Sequence, residues 1–363
     1  MLTDIDRNNH NRGPAGEASS QADASPDFLR FPDLASRALA GSVVWATDES
    51  FAERENLIMP HEPRFDPAEF GNKGKVYDGW ETRRRRHDEI GGHDSAIVRL
   101  GVPGHVHGVV VDTAWFTGNY PPEVAVWGLT CDDLLSGDEL GAVDDAEWFP
   151  LVERTAVLGD TRHAFAVHDD SPARDRRVTH VRLDIIPDGG VARLRVHGEP
   201  SPDPRFLTGT VDLAATENGG RVVDCSNMFY SSPDQIIGPG RAANMGGGWE
   251  NARRRTGGND HVTVRLAGES VVEWVEVDTS YFVFNAPGDI RLTGITPDGA
   301  EVPVVAETRV LPDTRHRFLV DDAAAGVPLR DIRLDVIPDG GVARLRVWGQ
   351  LTDAGLDGIR RRW

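Results

Sequence analysis

The sequence predicts an all-β protein, a tandem repeat of two β-sandwich or jelly-roll domains. Three observations carry that expectation. An eleven-residue run, Ile186 to Val196 (IPDGGVARLRV), recurs letter for letter at Ile337 to Val347. Within each copy the apolar pattern is short and alternating, as in Val191-Ala192-Arg193-Leu194-Arg195-Val196, the period of a half-exposed strand. Glycine (39 residues) and proline (23 residues) punctuate the chain throughout, which suits many short strands joined by turns.

The repeat extends well beyond the identical run. Asp160-Thr161-Arg162-His163 returns as Asp313-Thr314-Arg315-His316, and Val111-Asp112-Thr113 as Val277-Asp278-Thr279. Gly79-Trp80-Glu81 returns as Gly248-Trp249-Glu250, and Val43-Val44 as Val222-Val223. The offset falls from 179 to 151 along the chain, so the copies are colinear and the second has shorter loops. Copies of this length are domains rather than solenoid repeats. The expected boundaries are a disordered tail at 1–27, one domain at 28–199, a proline-rich linker at 200–207, a second domain at 208–350 and a C-terminal tail at 351–363. Strands are expected at 105–111 and 271–277, each ending at an Asp-Thr pair, and one short helix around 32–39. Pro187-Asp188-Gly189-Gly190 reads as a hairpin turn, which would set Asp184 opposite Arg193, and Asp335 opposite Arg344.

Composition excludes several classes. The chain has 363 residues, 39% hydrophobic and 27% charged, ordinary for a globular protein with a core. Its net charge of −19 opposes binding to nucleic acid or anionic lipid. No apolar run is long enough to span a membrane as a helix. The two cysteines, Cys131 and Cys225, form no CxxC and no disulfide framework, which fits a reducing compartment, and residues 1–27 lack the apolar stretch of a secretory signal. A cytoplasmic location is expected. No GxSxG, Walker loop, GxGxxG or HExxH is present.

The richest chemistry lies in Asp78-Gly79-Trp80-Glu81-Thr82-Arg83-Arg84-Arg85-Arg86-His87, followed by Gly92-His93-Asp94. Its second copy, Trp249-Glu250-Asn251-Ala252-Arg253-Arg254-Arg255, has Ala252 where the first has Arg83. A small anionic substrate needs guanidinium to grip a carboxylate, a carboxyl or imidazole to move protons and an apolar wall, here Trp80. The same segment reads equally as a solvated face neutralising the acidic surplus. His105 and His107 share one strand face at metal-ligand spacing, but copy two has Val271 and Glu273 there.

Those motifs, with Lys75-Val76-Tyr77, Val111-Asp112-Thr113, Phe116-Thr117-Gly118-Asn119 and the doubled Pro-Asp-Gly-Gly-Val-Ala-Arg-Leu-Arg, resemble the allantoicase family. The resemblance spans about 28–350 and departs at Tyr281-Phe282-Val283-Phe284-Asn285, where the family keeps a Lys-Gly-Asn ending. It implies two galactose-binding-like jelly rolls, a homo-oligomer, and hydrolysis of allantoate to ureidoglycolate and urea in purine breakdown. Allantoate carries one carboxylate and two ureido groups. Arg84 or Arg85 would then hold the carboxylate, and Asn119 with Asp112 and Thr113 a ureido group. Glu81 or His87 would protonate the departing urea, and His93, oriented by Asp94, would activate water. Trp249, Glu250 and Arg254 are the corresponding substrate-binding candidates of copy two. The resemblance makes no cofactor certain, and a divalent metal stays open because Asp and His occur in these segments. The competing class is a non-catalytic carbohydrate-binding or scaffold module, which would show exposed aromatic platforms.

Overall fold

The computed structural model describes residues 26–86 and 91–363, so most of the expected tail lies outside the described residues. The chain divides into two compact units that meet at Gly198 and Glu199. Unit 1 contains β1 (Ser42–Ala46), β2 (Phe70–Gly71), β3 (Gly74–Lys75), β4 (Trp80–Glu81), β5 (Asp94–Asp112), β6 (Glu123–Leu129) and α1 (Gly137–Gly141). It continues with β7 (Phe149–Ala156), β8 (Arg162–Ala166), β9 (Arg177–Ile186), β10 (Gly190–Val191) and β11 (Arg193–Pro200). The long β5 organises it. Its first half pairs with β1 and β9; the β9 register breaks between Arg99 and Gly104, and beyond that point β5 pairs with β8. β11 also joins β5. A strand folded back in this way serves both faces of a sandwich and returns Asp112 to the end where Asp94 began. Alternating valines of β5 (Val98, Val106, Val109, Val111) meet Val181, Leu183 and Ile185 of β9 in the core.

Unit 2 repeats the plan with β12 (Val211–Asp212), β13 (Arg221–Cys225), β14 (Trp249–Glu250), β15 (Asp260–Asp278), β16 (Asp289–Ile295) and β17 (Glu301–Arg309). It ends with β18 (Arg315–Leu319), β19 (Pro328–Ile337), β20 (Gly341–Val342), β21 (Arg344–Leu351) and α2 (Asp353–Arg360). β15 pairs with β13 and β19, then bends and pairs with β18 and β21. Each unit opens on an aspartate that staples the last strand: Asp33 accepts from Val196 N at 2.9 Å, and Asp212 from Val347 N at 3.0 Å.

Three expectations are corrected. The Pro-Asp-Gly-Gly turn does not close a hairpin. Pro187 and Pro338 are cis, and β10 pairs with β4 rather than with β9. Asp184 therefore accepts from Ser95 Oγ and Trp127 Nε1, both at 2.7 Å, while Arg193 turns to Asp78. Likewise Asp335 bonds Asn259 and Arg291, and Arg344 donates to the carbonyls of Gly240, Gly247 and Ala343. The helix expected at 32–39 is only a 3-10 turn, Arg37–Leu39, capped by Ser36. Residues 351–363, expected as a tail, hold α2, which Thr352 caps and whose Ile359 is buried.

One half-buried acid, Asp234, gives a test of unit 2. Burial drives the Asp234 carboxyl from 3.8 up to about 6, and its Oδ1 is buried without a partner. The folded value exceeds the unfolded one, so the folded state loses stability as pH rises from about 4 through 6. Asp234→Asn raises the stability of unit 2 at pH 8 by about 1–3 kcal/mol and leaves it little changed at pH 4. Thermal melts at the two pH values check this.

Candidate active site

In unit 1 the two-residue strand β4 lies across β10, with Glu81 opposite Gly190 and Trp80 opposite Val191. Gly79 admits no side chain, since a Cβ there would lie 2.7 Å from Phe116 and from the Val191 carbonyl. Gly189 has φ +143°, and a Cβ there would lie 2.6 Å from Pro121 N. That close approach brings the loop carrying Asn119 against β10: Gly190 N donates to the Asn119 carbonyl at 2.7 Å. The Asn119 amide then donates to Glu81 Oε1 at 2.8 Å. Glu81 is half-buried, and desolvation lifts its carboxyl above the usual range against the opposing effects of Asn119 and the Arg84 charge.

The loop is strained. Trp115 has φ 70°, in the left-handed region that a bulky residue rarely enters. It is held by Asp160, whose Oδ1 accepts from Trp115 N at 2.8 Å. Strain of this kind persists only where surrounding contacts over-determine it. Trp115 stacks on Phe65, Phe65 on Tyr77, and Tyr77 on Phe116, with centroids 5.7, 5.1 and 4.7 Å apart. This aromatic wall, beside Glu81 and Asn119, was not picked out from sequence. Its signal was the aromatic spacing around the motif residues.

Other candidates fall elsewhere. Trp80 and Trp249 are wholly buried, with Nε1 on the carbonyls of Asp48 and Asn227, so they are core pillars rather than substrate walls. Asp94 does not orient His93: its Oδ1 takes Arg85 Nη2 at 2.8 Å and the Thr47 hydroxyl at 3.1 Å. His93 instead points Nε2 toward Asp184 at 3.8 Å. In unit 2 the amide of Asn259 occupies that place, 2.8 Å from Asp335, so the position serves to satisfy the buried aspartate. Arg85 is held by Asp94, by the His93 carbonyl, and through its own backbone N–H by Asp188, while Arg84 is exposed and its charge acts on Glu81. Asp112 is buried and caps Ala114 N, and the buried Thr113 hydroxyl bonds Leu158 and Thr161 carbonyls. Both pin the loop rather than face a ligand. His87 lies outside the described residues.

Unit 2 keeps the acid and amide: Asn285 donates to Glu250 Oε1 at 2.6 Å. Arg254 is bound to Asp260 at 2.6 Å, as Arg85 is to Asp94. The surroundings differ, with Met228, Phe229, Tyr230 and Phe284 exposed. Among the described residues no group of three or more His, Cys, Asp or Glu is placed to hold a metal ion, and the His107 ring packs tilted at 47° against Phe31, with centroids 3.9 Å apart. No described helix is long and apolar enough to cross a membrane.

A family model described as the allantoicase repeat matches residues 32–201 and again 211–352. The chain belongs to the allantoicase family. A probable allantoicase of Nocardia farcinica is 53% identical over 336 residues, which cover 92% of this chain and 99% of that protein. One from Streptomyces coelicolor is 45% identical, covering 94% of this chain and 92% of that one. The crystal structure of a Saccharomyces cerevisiae allantoicase is similar at 34% identity and a TM-score of 0.74, covering 88% of this chain and 92% of that chain.

Proposed function

We propose that the chain hydrolyses allantoate to ureidoglycolate and urea, and that the Glu81–Asn119 pair of unit 1 carries the chemistry. The observation behind this reading is a carboxyl lifted by burial, clamped by an amide and flanked by an exposed guanidinium. An acid used for proton transfer near neutral pH needs such a lift.

The steps follow from the groups present. Arg84 pairs with the substrate carboxylate, where guanidinium offers two parallel N–H donors. Protonated Glu81 gives its proton to the departing ureido nitrogen. The lone pair of the other ureido nitrogen forms a C=N bond as urea leaves. Water then adds to the central carbon, and the Glu81 carboxylate takes the proton released, restoring the acid. Asn119 fixes one Glu81 oxygen so that the other faces the substrate. Glu250, Asn285 and the exposed Arg253 of unit 2 offer the same acid, amide and guanidinium in the equivalent places for binding. The cytoplasm and a homo-oligomeric state complete the proposal, in keeping with two free cysteines.

The experiment is urea release from allantoate by the purified chain, with and without a chelator. Equal turnover in both arms is the expected result. Activity lost with the chelator and restored by a divalent ion would assign a metal-dependent route.

A further inference from the structure

The motif Asp160-Thr161-Arg162-His163, repeated as Asp313-Thr314-Arg315-His316, grips the loop that leads to Asn119. The Asp160 carboxylate accepts from Trp115 N at 2.8 Å, and Asp160 N donates to the Thr113 carbonyl at 3.1 Å. Thr161 closes the base of the loop: its carbonyl accepts from Thr113 N, and its N–H donates to the Thr113 hydroxyl, both at 3.0 Å. Trp115 (φ 70°) and Asp160 (φ 50°) both lie in the left-handed region, where a tryptophan stays only if it is held. Four residues beyond Trp115 the chain reaches Asn119. Its carbonyl accepts from Gly190 N at 2.7 Å, and its amide donates to Glu81 Oε1 at 2.8 Å. Rotation of Trp115 out of the left-handed state would swing that short segment and the amide with it.

Unit 2 builds the same clamp. Asp313 accepts from Tyr281 N at 2.7 Å, and Thr314 pairs with Thr279 at 3.0 and 3.1 Å. Tyr281 (φ 71°) and Asp313 (φ 47°) repeat the strain. Asn285 again follows four residues later and donates to Glu250 Oε1 at 2.6 Å. Between the held residue and the amide, Thr117-Gly118 of unit 1 stands as Val283-Phe284 in unit 2. The loop side chains differ, whereas the aspartate, the left-handed aromatic residue and the acid–amide pair occur together in both copies.

We propose that Asp160 is a positioning residue for the reaction: by holding Trp115 in the left-handed state it aims the Asn119 amide at Glu81. This rests on the reading that Glu81 is the acid of the site. An amide that drifts no longer fixes the carboxyl, and misplacement by about 1 Å from a change away from the chemistry can cost about 10²-fold in rate.

The test is Asp160→Gly in the full chain, since glycine accepts a positive φ and only the carboxylate is lost. It should lower kcat by about 10–10²-fold, with KM nearly unchanged because Arg84 still holds the substrate carboxylate. The pH profile should move as well. Burial raises the Glu81 carboxyl, and the hydrogen bond from Asn119 opposes that rise, so a misaimed amide leaves Glu81 protonated to higher pH. The decline of activity with rising pH therefore shifts upward in D160G, in the same direction as in Asn119→Ala. Asp160→Asn keeps an acceptor oxygen and tolerates the left-handed region, so it should restore both kcat and the profile. Should D160G melt early, Asp160→Glu, whose carboxylate is displaced by one methylene, replaces it and must show the same loss and the same shift. A full kcat, or a lowered kcat with an unmoved profile, overturns the role of Asp160 alone when Glu81→Gln is inactive beside it. Full kcat in E81Q overturns the reading of the site itself.

Discussion

Glu81→Gln lowers turnover of allantoate by about 10²–10⁴-fold, the usual contribution of a positioned general acid–base. The substitution is nearly isosteric, and the Asn119 amide can still donate to the glutamine carbonyl, so the loop geometry survives. What is lost is the proton. The effect should therefore appear in kcat, with KM changing far less, because Arg84 still holds the carboxylate. The pH profile gives a second reading: burial lifts the Glu81 carboxyl, so wild-type activity declines above that lifted value as the acid form disappears. Steady-state kinetics of the two proteins across pH would show it, and equal kcat values would remove Glu81 from the chemistry.

Arg193→Met destabilises unit 1 by about 3–5 kcal/mol, the cost of removing one partner from a buried ion pair. Arg193 is 1% exposed. It grips both oxygens of Asp78 at 2.8 Å and donates to the carbonyls of His61, Asp78 and Ala192. Burial alone would raise the Asp78 carboxyl, but hydrogen bonds from Arg193 and the Arg64 backbone hold it below the usual 3.8. A depressed folded value contributes stability above the unfolded value that is lost as pH falls through the folded one. The wild-type chain should therefore lose this contribution in acid, and R193M should show a flatter profile there. Because Asp78 adjoins Tyr77 and precedes Glu81 by three residues, activity should fall as well. Denaturant titration at neutral and acid pH tests the stability claim; an unchanged midpoint would contradict it.

The duplication and the all-β class are legible from sequence because the motifs recur in the same order, at an offset that shrinks steadily from 179 to 151; the contact between Glu81 and Asn119 is not, since it depends on the close approach of two loops at Gly189. The failures have identifiable physical causes. His93 and Asp94 look like a couple because they are adjacent, yet neighbours at a strand start face opposite ways, and Asp94 meets Arg85 and Thr47 instead. Trp80 reads as a wall because it sits among charged residues. The two-residue strand that buries it depends on β10, over a hundred residues away, which local periodicity does not reveal. α2 was missed because Gly355 and Gly358 dilute its helical pattern, although Thr352 was a usable cap signal. The stack of Trp115, Phe65, Tyr77 and Phe116 is not legible either, since it depends on a strained loop that no local pattern announces.

The central claim is cleavage of the bond between the central carbon and a ureido nitrogen, and the most direct measurement is product analysis after turnover of allantoate in H₂¹⁸O. The account predicts equal amounts of urea and ureidoglycolate, with the label in the new hydroxyl of ureidoglycolate and none in urea. No urea at all, or label in a product of the ureido carbonyl carbon, would contradict it.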